Sequence, residues 1–136
     1  MFGWGRRKNE PDFIRHYCEA TKRKIDRKTV FDGLPFVALD AETTGLDINK
    51  DRLLSIGIVP LKNGALDVTN RRTWLVQQTA SPNNEAVKLH GIAPGESAKG
   101  TPEAQVLKEL LSTISGQIVV GHHIGFDAGI IGHALH

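Results

Sequence analysis

The sequence predicts an α/β fold, a mixed sheet flanked by helices. Three observations predict it. Phe36-Val37-Ala38-Leu39 is a continuous apolar run, the pattern of a central strand buried on both faces. Lys62-Asn63-Gly64-Ala65 is a two-residue hairpin signal between strand-like runs, so part of the sheet is antiparallel. Thr101-Pro102 opens a segment with apolar residues at helical spacing, which leads into another short apolar run.

In chain order, Pro11 begins a short amphipathic helix over about 11–24, in which Phe13, Ile14 and Tyr17 provide a thin apolar stripe. Gly33 and Pro35 punctuate the entry into the core. Strand one is 36–41. Strand two is about 52–62, with Leu54, Ile56 and Ile58 on one face. Pro60 cannot donate to a ladder, so it marks a bulge or an unpaired side. Strand three runs over about 66–77 and carries Trp74, Leu75 and Val76. A loop with Ser81-Pro82 follows, then a short helix around 84–89 that runs into His90-Gly91-Ile92. Thr101 is an N-cap and Pro102 a first helical residue. Val106, Leu107, Leu110, Leu111 and Ile114 form that helix's buried face, and Gly116 ends it. Strand four is Gln117 to Gly121, and a last helix begins near Phe126. There is no internal repeat and no low-complexity segment.

The 136 residues suffice for one domain with a real core. No apolar run reaches the length of a membrane span, and no h-region follows the N-terminal charges. The lone Cys18 has no internal disulfide partner, which fits a reducing cytoplasm. Net charge is +2 but uneven: residues 1–28 carry nine Lys/Arg against four Asp/Glu, the rest eight against eleven. Residues 1–33 thus read as a basic N-terminal extension before a mildly acidic domain over 34–136. A basic arm attracts polyanions, although a solvated helix or frayed terminus fits equally well.

The chemistry concentrates in Leu39-Asp40-Ala41-Glu42-Thr43-Thr44-Gly45-Leu46-Asp47. Side chains on a strand alternate faces, so Asp40 and Glu42 point the same way, roughly 7 Å apart along the backbone. Two acids at the end of a buried strand are costly unless something positive neutralises them. A pair of divalent cations about 4 Å apart would do so, and is standard apparatus for cutting phosphodiesters. Thr43-Thr44-Gly45 adds hydroxyls and backbone N–H groups able to hold a nucleotide terminus. A third acid, Asp127, follows strand four in Gly121-His122-His123-Ile124-Gly125-Phe126-Asp127, where an open α/β sheet binds ligands. Alone it would be an ordinary acid near a helix N-terminus. His133 and His136 fall on the helix side away from Asp127, and no Cys spacing supports zinc.

Together these residues resemble the DEDD superfamily of 3′–5′ exonucleases, which includes the proofreading epsilon subunit of bacterial DNA polymerase III. The family's Asp-x-Glu-Thr-Thr-Gly signature is present as Asp40 to Gly45, its His-Gly-Ile element as His90 to Ile92, and its His-x-x-x-Phe-Asp-like element as His122 to Asp127. The resemblance covers about 34–136. It implies an RNase H-like mixed sheet with helices on both faces. It implies two Mg²⁺ or Mn²⁺ ions held by Asp40, Glu42 and Asp127, one to activate the attacking water and one to stabilise the leaving 3′ oxygen. It also implies that Thr43 and the backbone of Thr44, Gly45 and Leu46 hold the 3′-terminal nucleotide, with Leu46 wedged against its base. His90 and His123 would touch substrate, and Phe126 would support packing near the site. The implied partners are the 3′ end of single-stranded DNA or RNA and a DNA polymerase subunit, with no membrane.

The chain departs from the family in two ways. His123 stands where many relatives have Asn. The family's third signature, with a histidine general base and a fourth acid, lies further on, whereas this sequence stops at His136, nine residues after Asp127. The expectation is a C-terminally incomplete domain with an exposed sheet edge, weak or inactive as a nuclease. The alternative class is a non-catalytic nucleic-acid or polymerase-associated binding module.

Overall fold

The computed structural model describes residues 11–22, 25–26, 28–79 and 84–136. The stretch 1–10, which holds three of the nine Lys/Arg of the basic segment, lies outside the described residues, as does the Ser81-Pro82 loop. The sheet contains β1 (Phe36–Thr43), β2 (Leu53–Lys62), β3 (Ala65–Leu66), β4 (Arg72–Leu75) and β5 (Ile118–Val120). The helices are α1 (Asp12–Thr21), α2 (Asn84–His90), α3 (Pro94–Ser97), α4 (Glu103–Ile114) and α5 (Ile124–Ala134). The strand order is β3-β2-β1-β5, with β4 also paired to β2. β1 is antiparallel to β2 and parallel to β5, so the sheet is mixed.

Val37 and Leu39 of β1 are buried with Ile56, Ile58 and Trp74. Val106, Leu107, Leu110, Leu111 and Ile114 of α4 and Ile130 and Ile131 of α5 complete that core. All five apolar residues predicted for the α4 face are buried. Ile14 and Tyr17 of α1 join the same cluster, so the described part of the basic extension packs onto the domain.

Several local expectations are corrected. β1 is buried on one face only: Phe36 and Ala38 are half-buried and Asp40 is exposed. An apolar run does not distinguish a central strand from one whose second face carries small or locally covered residues. Phe36 is covered by the ring of Phe31, 4.7 Å away between centroids. β1 also runs two residues past the expected end, which places Glu42 inside the strand. Pro60 lies within β2 opposite Val37, and on its other side it falls in the gap between the β3 and β4 pairings, the unpaired side expected of a proline; the register shift falls between Glu42 and Thr43.

The third predicted strand is split into β3 and β4. Between them Asp67 accepts hydrogen bonds from the backbone N–H and side-chain amide of Asn70, which hold a 3₁₀ turn over Val68–Asn70. Such local bonds compete with a ladder. Thr101 does not cap α4. Its N–H donates to Leu75 O and its carbonyl accepts from Gln77 N, both at 2.8 Å, so it extends the sheet as an isolated bridge to Val76. Pro102 takes the N-cap position instead.

Candidate active site

Antiparallel pairing sets Asp40 opposite Gly57 and Glu42 opposite Ser55. The two acids share one face of β1, as the alternation predicts. The small residues opposite leave that face open. A Cβ built on Gly57 would meet nothing nearer than Asp40 O at 4.0 Å.

Asp127 enters from the first turn of α5 and is buried, 4% exposed. Its Oδ1 accepts the backbone N–H of Ala41, the residue between Asp40 and Glu42, at 3.0 Å. Burial pushes the Asp127 carboxyl above its usual range, and the nearby Asp40 charge pushes the same way, while the bond from Ala41 opposes them. The end of β1 and the start of α5 therefore bring two of the sequence signatures together. Gly121 allows this approach, because a Cβ there would lie 2.5 Å from Leu39 O. His123 precedes α5 with φ 50°, in the left-handed region. Asn, Asp and His are the non-glycine residues enriched there, so the departure from Asn keeps the backbone feasible. α5 starts at Ile124, slightly before the expected Phe126, and Phe126 packs half-buried against the core.

The donor set suits a hard divalent cation: all three groups are carboxylates, and a carboxyl raised by burial, with a like charge adding to it, is relieved by positive charge. The fit is partial. Among the described residues, no three Asp, Glu, His or Cys side chains gather into a group able to hold one ion. The histidines gather no ion either: His133 is half-buried and His136 exposed at the end of the chain.

The loop after β1 is tied internally. Thr43 is buried, and its hydroxyl donates to Gly45 O at 2.6 Å. The Thr44 N–H donates to Arg52 O. Both donors, which the sequence assigns to a nucleotide, are engaged within the loop in this structure. The N–H groups of Gly45 and Leu46 have no partner among the described residues, and the Leu46 side chain is 86% exposed. His90 ends α2. Its Nδ1 accepts the Ile92 N–H at 3.0 Å, while its Nε2 is buried with no hydrogen-bond partner among the described residues. Asp51, which the sequence reading passed over, accepts from Thr44 Oγ1 at 2.7 Å and from Asp47 N at 2.8 Å.

A cleft of about 910 Å³ lies elsewhere among the described residues. It is lined by Tyr17, Leu34, Leu39, Ile118, Ile124 and Ile131 among others, and contains none of the three acids. Its mainly apolar wall suits neither a cation nor a phosphate.

The RNase_T family model, described as an exonuclease, matches residues 37–136. The chain belongs to this exonuclease family. Its relatives include the PolC-type DNA polymerase III of Thermotoga petrophila, 28% identical over 80% of this chain and 8% of that protein. The DNA polymerase III epsilon subunit of Aquifex aeolicus is 30% identical over 77% of this chain and 50% of its own length. Ribonuclease T of Wigglesworthia glossinidia brevipalpis is 29% identical over 79% of this chain and 57% of its length. The chain thus spans less than a tenth of the PolC-type relatives and about half of the epsilon relative. Exonuclease I from Methylocaldum szegediense shares the fold, with a TM-score of 0.64 at 24% identity over 71% of this chain and 22% of that one. The exonuclease fold expected from the sequence is thereby established. Among the described residues no helix is long and apolar enough to cross a membrane.

Proposed function

We propose that this chain carries the nucleotide-binding end of a 3′–5′ exonuclease acting on single-stranded DNA or RNA. The observation that supports the reading best is the bond from Ala41 N to Asp127 Oδ1. It brings Asp127 beside the two acids of β1, where a phosphodiester cut by hydrolysis needs concentrated negative ligands. Asp40, Glu42 and Asp127 would hold Mg²⁺ or Mn²⁺. When bound, such ions supply Lewis-acid activation of water and of the leaving oxygen. Leu46 would offer its backbone N–H and its exposed apolar side chain to the terminal nucleotide, with the unpartnered N–H of the buried Gly45 beneath it. The basic charge over residues 1–28 would draw a polyanion. A DNA polymerase subunit is a candidate partner, by likeness to the epsilon and PolC-type relatives.

The test uses a 3′-labelled and a 5′-labelled single strand with Mn²⁺ and protein free of host nuclease. The reading expects labelled mononucleotide from the 3′-labelled strand, lost in Asp40→Asn. Internal cutting, release from the 5′ end, or turnover indifferent to Asp40→Asn would contradict it. One observation favours a second reading, a 3′-end binding module without turnover: the three acids do not gather into a ligand group among the described residues. That reading expects 3′-end binding with no product at any Mn²⁺ concentration.

A further inference from the structure

Gly45 is not in the left-handed region, since the positive-φ glycines among the described residues are Gly64, Gly91 and Gly116. Its backbone would accept alanine. The space beside it would not: a Cβ at Gly45 would lie 2.6 Å from Asp51 Oδ2 and 2.7 Å from Oδ1. The Asp51 carboxylate therefore sits against the bare backbone of the nucleotide-facing loop. From there it accepts the Thr44 hydroxyl at 2.7 Å and the Asp47 N–H at 2.8 Å, one bond on either side of Gly45 and Leu46. The tie is reinforced by the segment just before β2. Arg52 N donates to Thr44 Oγ1 at 3.0 Å, Thr44 N donates to Arg52 O at 3.0 Å, and Asp51 N donates to Asp47 O at 2.8 Å. With these bonds made, the Gly45 and Leu46 N–H groups are the donors left over in the loop.

We propose that Asp51 is a positioning residue: seated where a Gly45 side chain would be, its carboxylate fixes the 43–47 loop in the shape that receives a 3′-terminal nucleotide. The proposal rests on the exonuclease reading above. It assigns Gly45 a purpose, which is to admit Asp51 rather than to admit the substrate. Asp51 does no chemistry itself. It acts through the loop, so its loss should degrade recognition of the strand end more than affinity for the strand.

The experiment compares a short 5′-labelled oligothymidylate ending in a 3′-hydroxyl with the same strand ending in a 3′-phosphate. Affinities are measured in Ca²⁺ for the parent, Asp51→Ala, Gly45→Ala and the double variant, with thermal melts alongside. Removing two bonds to a charged acceptor is expected to lower the hydroxyl-over-phosphate preference on the order of tenfold in Asp51→Ala. Asp51→Asn, which keeps an acceptor, should fall between. Gly45→Ala should match Asp51→Ala because its Cβ displaces the carboxylate. The double variant should be no worse than Asp51→Ala, since the new Cβ enters vacated space. A folded Asp51→Ala with the parental preference overturns the role of Asp51. So does a Gly45→Ala penalty that persists undiminished in the Asp51→Ala background, which would mean that the glycine serves the ligand directly. Should Asp51→Ala fail to fold, Gly45→Ala decides: an unchanged preference overturns the proposal and a matching loss supports it. A parent chain that binds neither strand, or binds both ends equally, overturns the exonuclease reading itself.

Discussion

Asp127 and Ala41 lie 86 positions apart, yet the carboxylate of one accepts the backbone N–H of the other at 3.0 Å. The bond has a structural and a chemical side, and the two separate by substitution. Asp127→Ala leaves a partly buried N–H without its acceptor, which should cost about 1–3 kcal/mol in a denaturant titration. Asp127→Asn keeps an acceptor and removes the charge.

The same residue predicts a pH dependence. Burial holds the Asp127 carboxyl above its ordinary value of 3.8. Between the unfolded and folded values the folded chain binds more protons, so stability falls as pH rises through that window. Measured in chelator, the parent should lose stability above about pH 4 relative to Asp127→Asn, and Asp127→Asn should melt higher at pH 7. A parallel pair of pH profiles would remove burial of the charge as the cause.

Tyr17 predicts the opposite end of the pH scale. Burial, with Cys18 beside it, pushes the Tyr17 hydroxyl from 10.0 up to about 12. The stabilising effect of keeping the proton is complete below pH 10 and lost as pH rises through the folded value. The loss amounts to roughly 2–3 kcal/mol. Urea midpoints at pH 9 and above pH 11 should diverge in the parent and less so in Tyr17→Phe. Equal slopes would mean that α1 is not seated on the domain.

Glu109 anchors α4 to the sheet by accepting from Trp74 Nε1 at 2.8 Å and from Gln105 Nε2 at 3.0 Å. The Gln105 and Trp74 hydrogen bonds, with Arg72 nearby, hold its carboxyl below 4.5. Its contribution is therefore present above pH 4.5 and lost as pH falls through the depressed value. Glu109→Ala should lower the melting temperature at neutral pH and shift the Trp74 fluorescence, with the difference from the parent shrinking in acid.

Gly121 and Gly129 are both crowded but unequally. A Cβ at Gly121 meets the Leu39 carbonyl at 2.5 Å, whereas one at Gly129 meets the flexible end of Ile48 at 2.7 Å. Gly121→Ala should cost about 1–3 kcal/mol. It should also weaken ion binding by moving the strand that carries Asp40. Gly129→Ala should cost less.

Much of this was legible in the sequence. The Asp40/Glu42 spacing fixed a shared face, and the helical spacing of Val106 to Ile114 fixed the α4 core face. What was not legible depended on contacts between distant backbones or on local competition. Asp67 and Asn70 broke a strand that periodicity alone would continue. Thr101 bonded to Leu75 and Gln77 rather than capping a helix. Nothing in the order of residues shows that Gly45 is bare because Asp51 lies against it. Nor does it show the bond from the Thr43 hydroxyl to Gly45 O.

The proposed divalent-cation site lies between the end of β1 and the start of α5. Calorimetric titration of Mn²⁺ into the parent chain and Asp40→Asn tests it most directly. Saturable binding in the parent, lost in the variant with its fold intact, is the predicted result. No binding in the parent, or binding unchanged by Asp40→Asn, would contradict the claim.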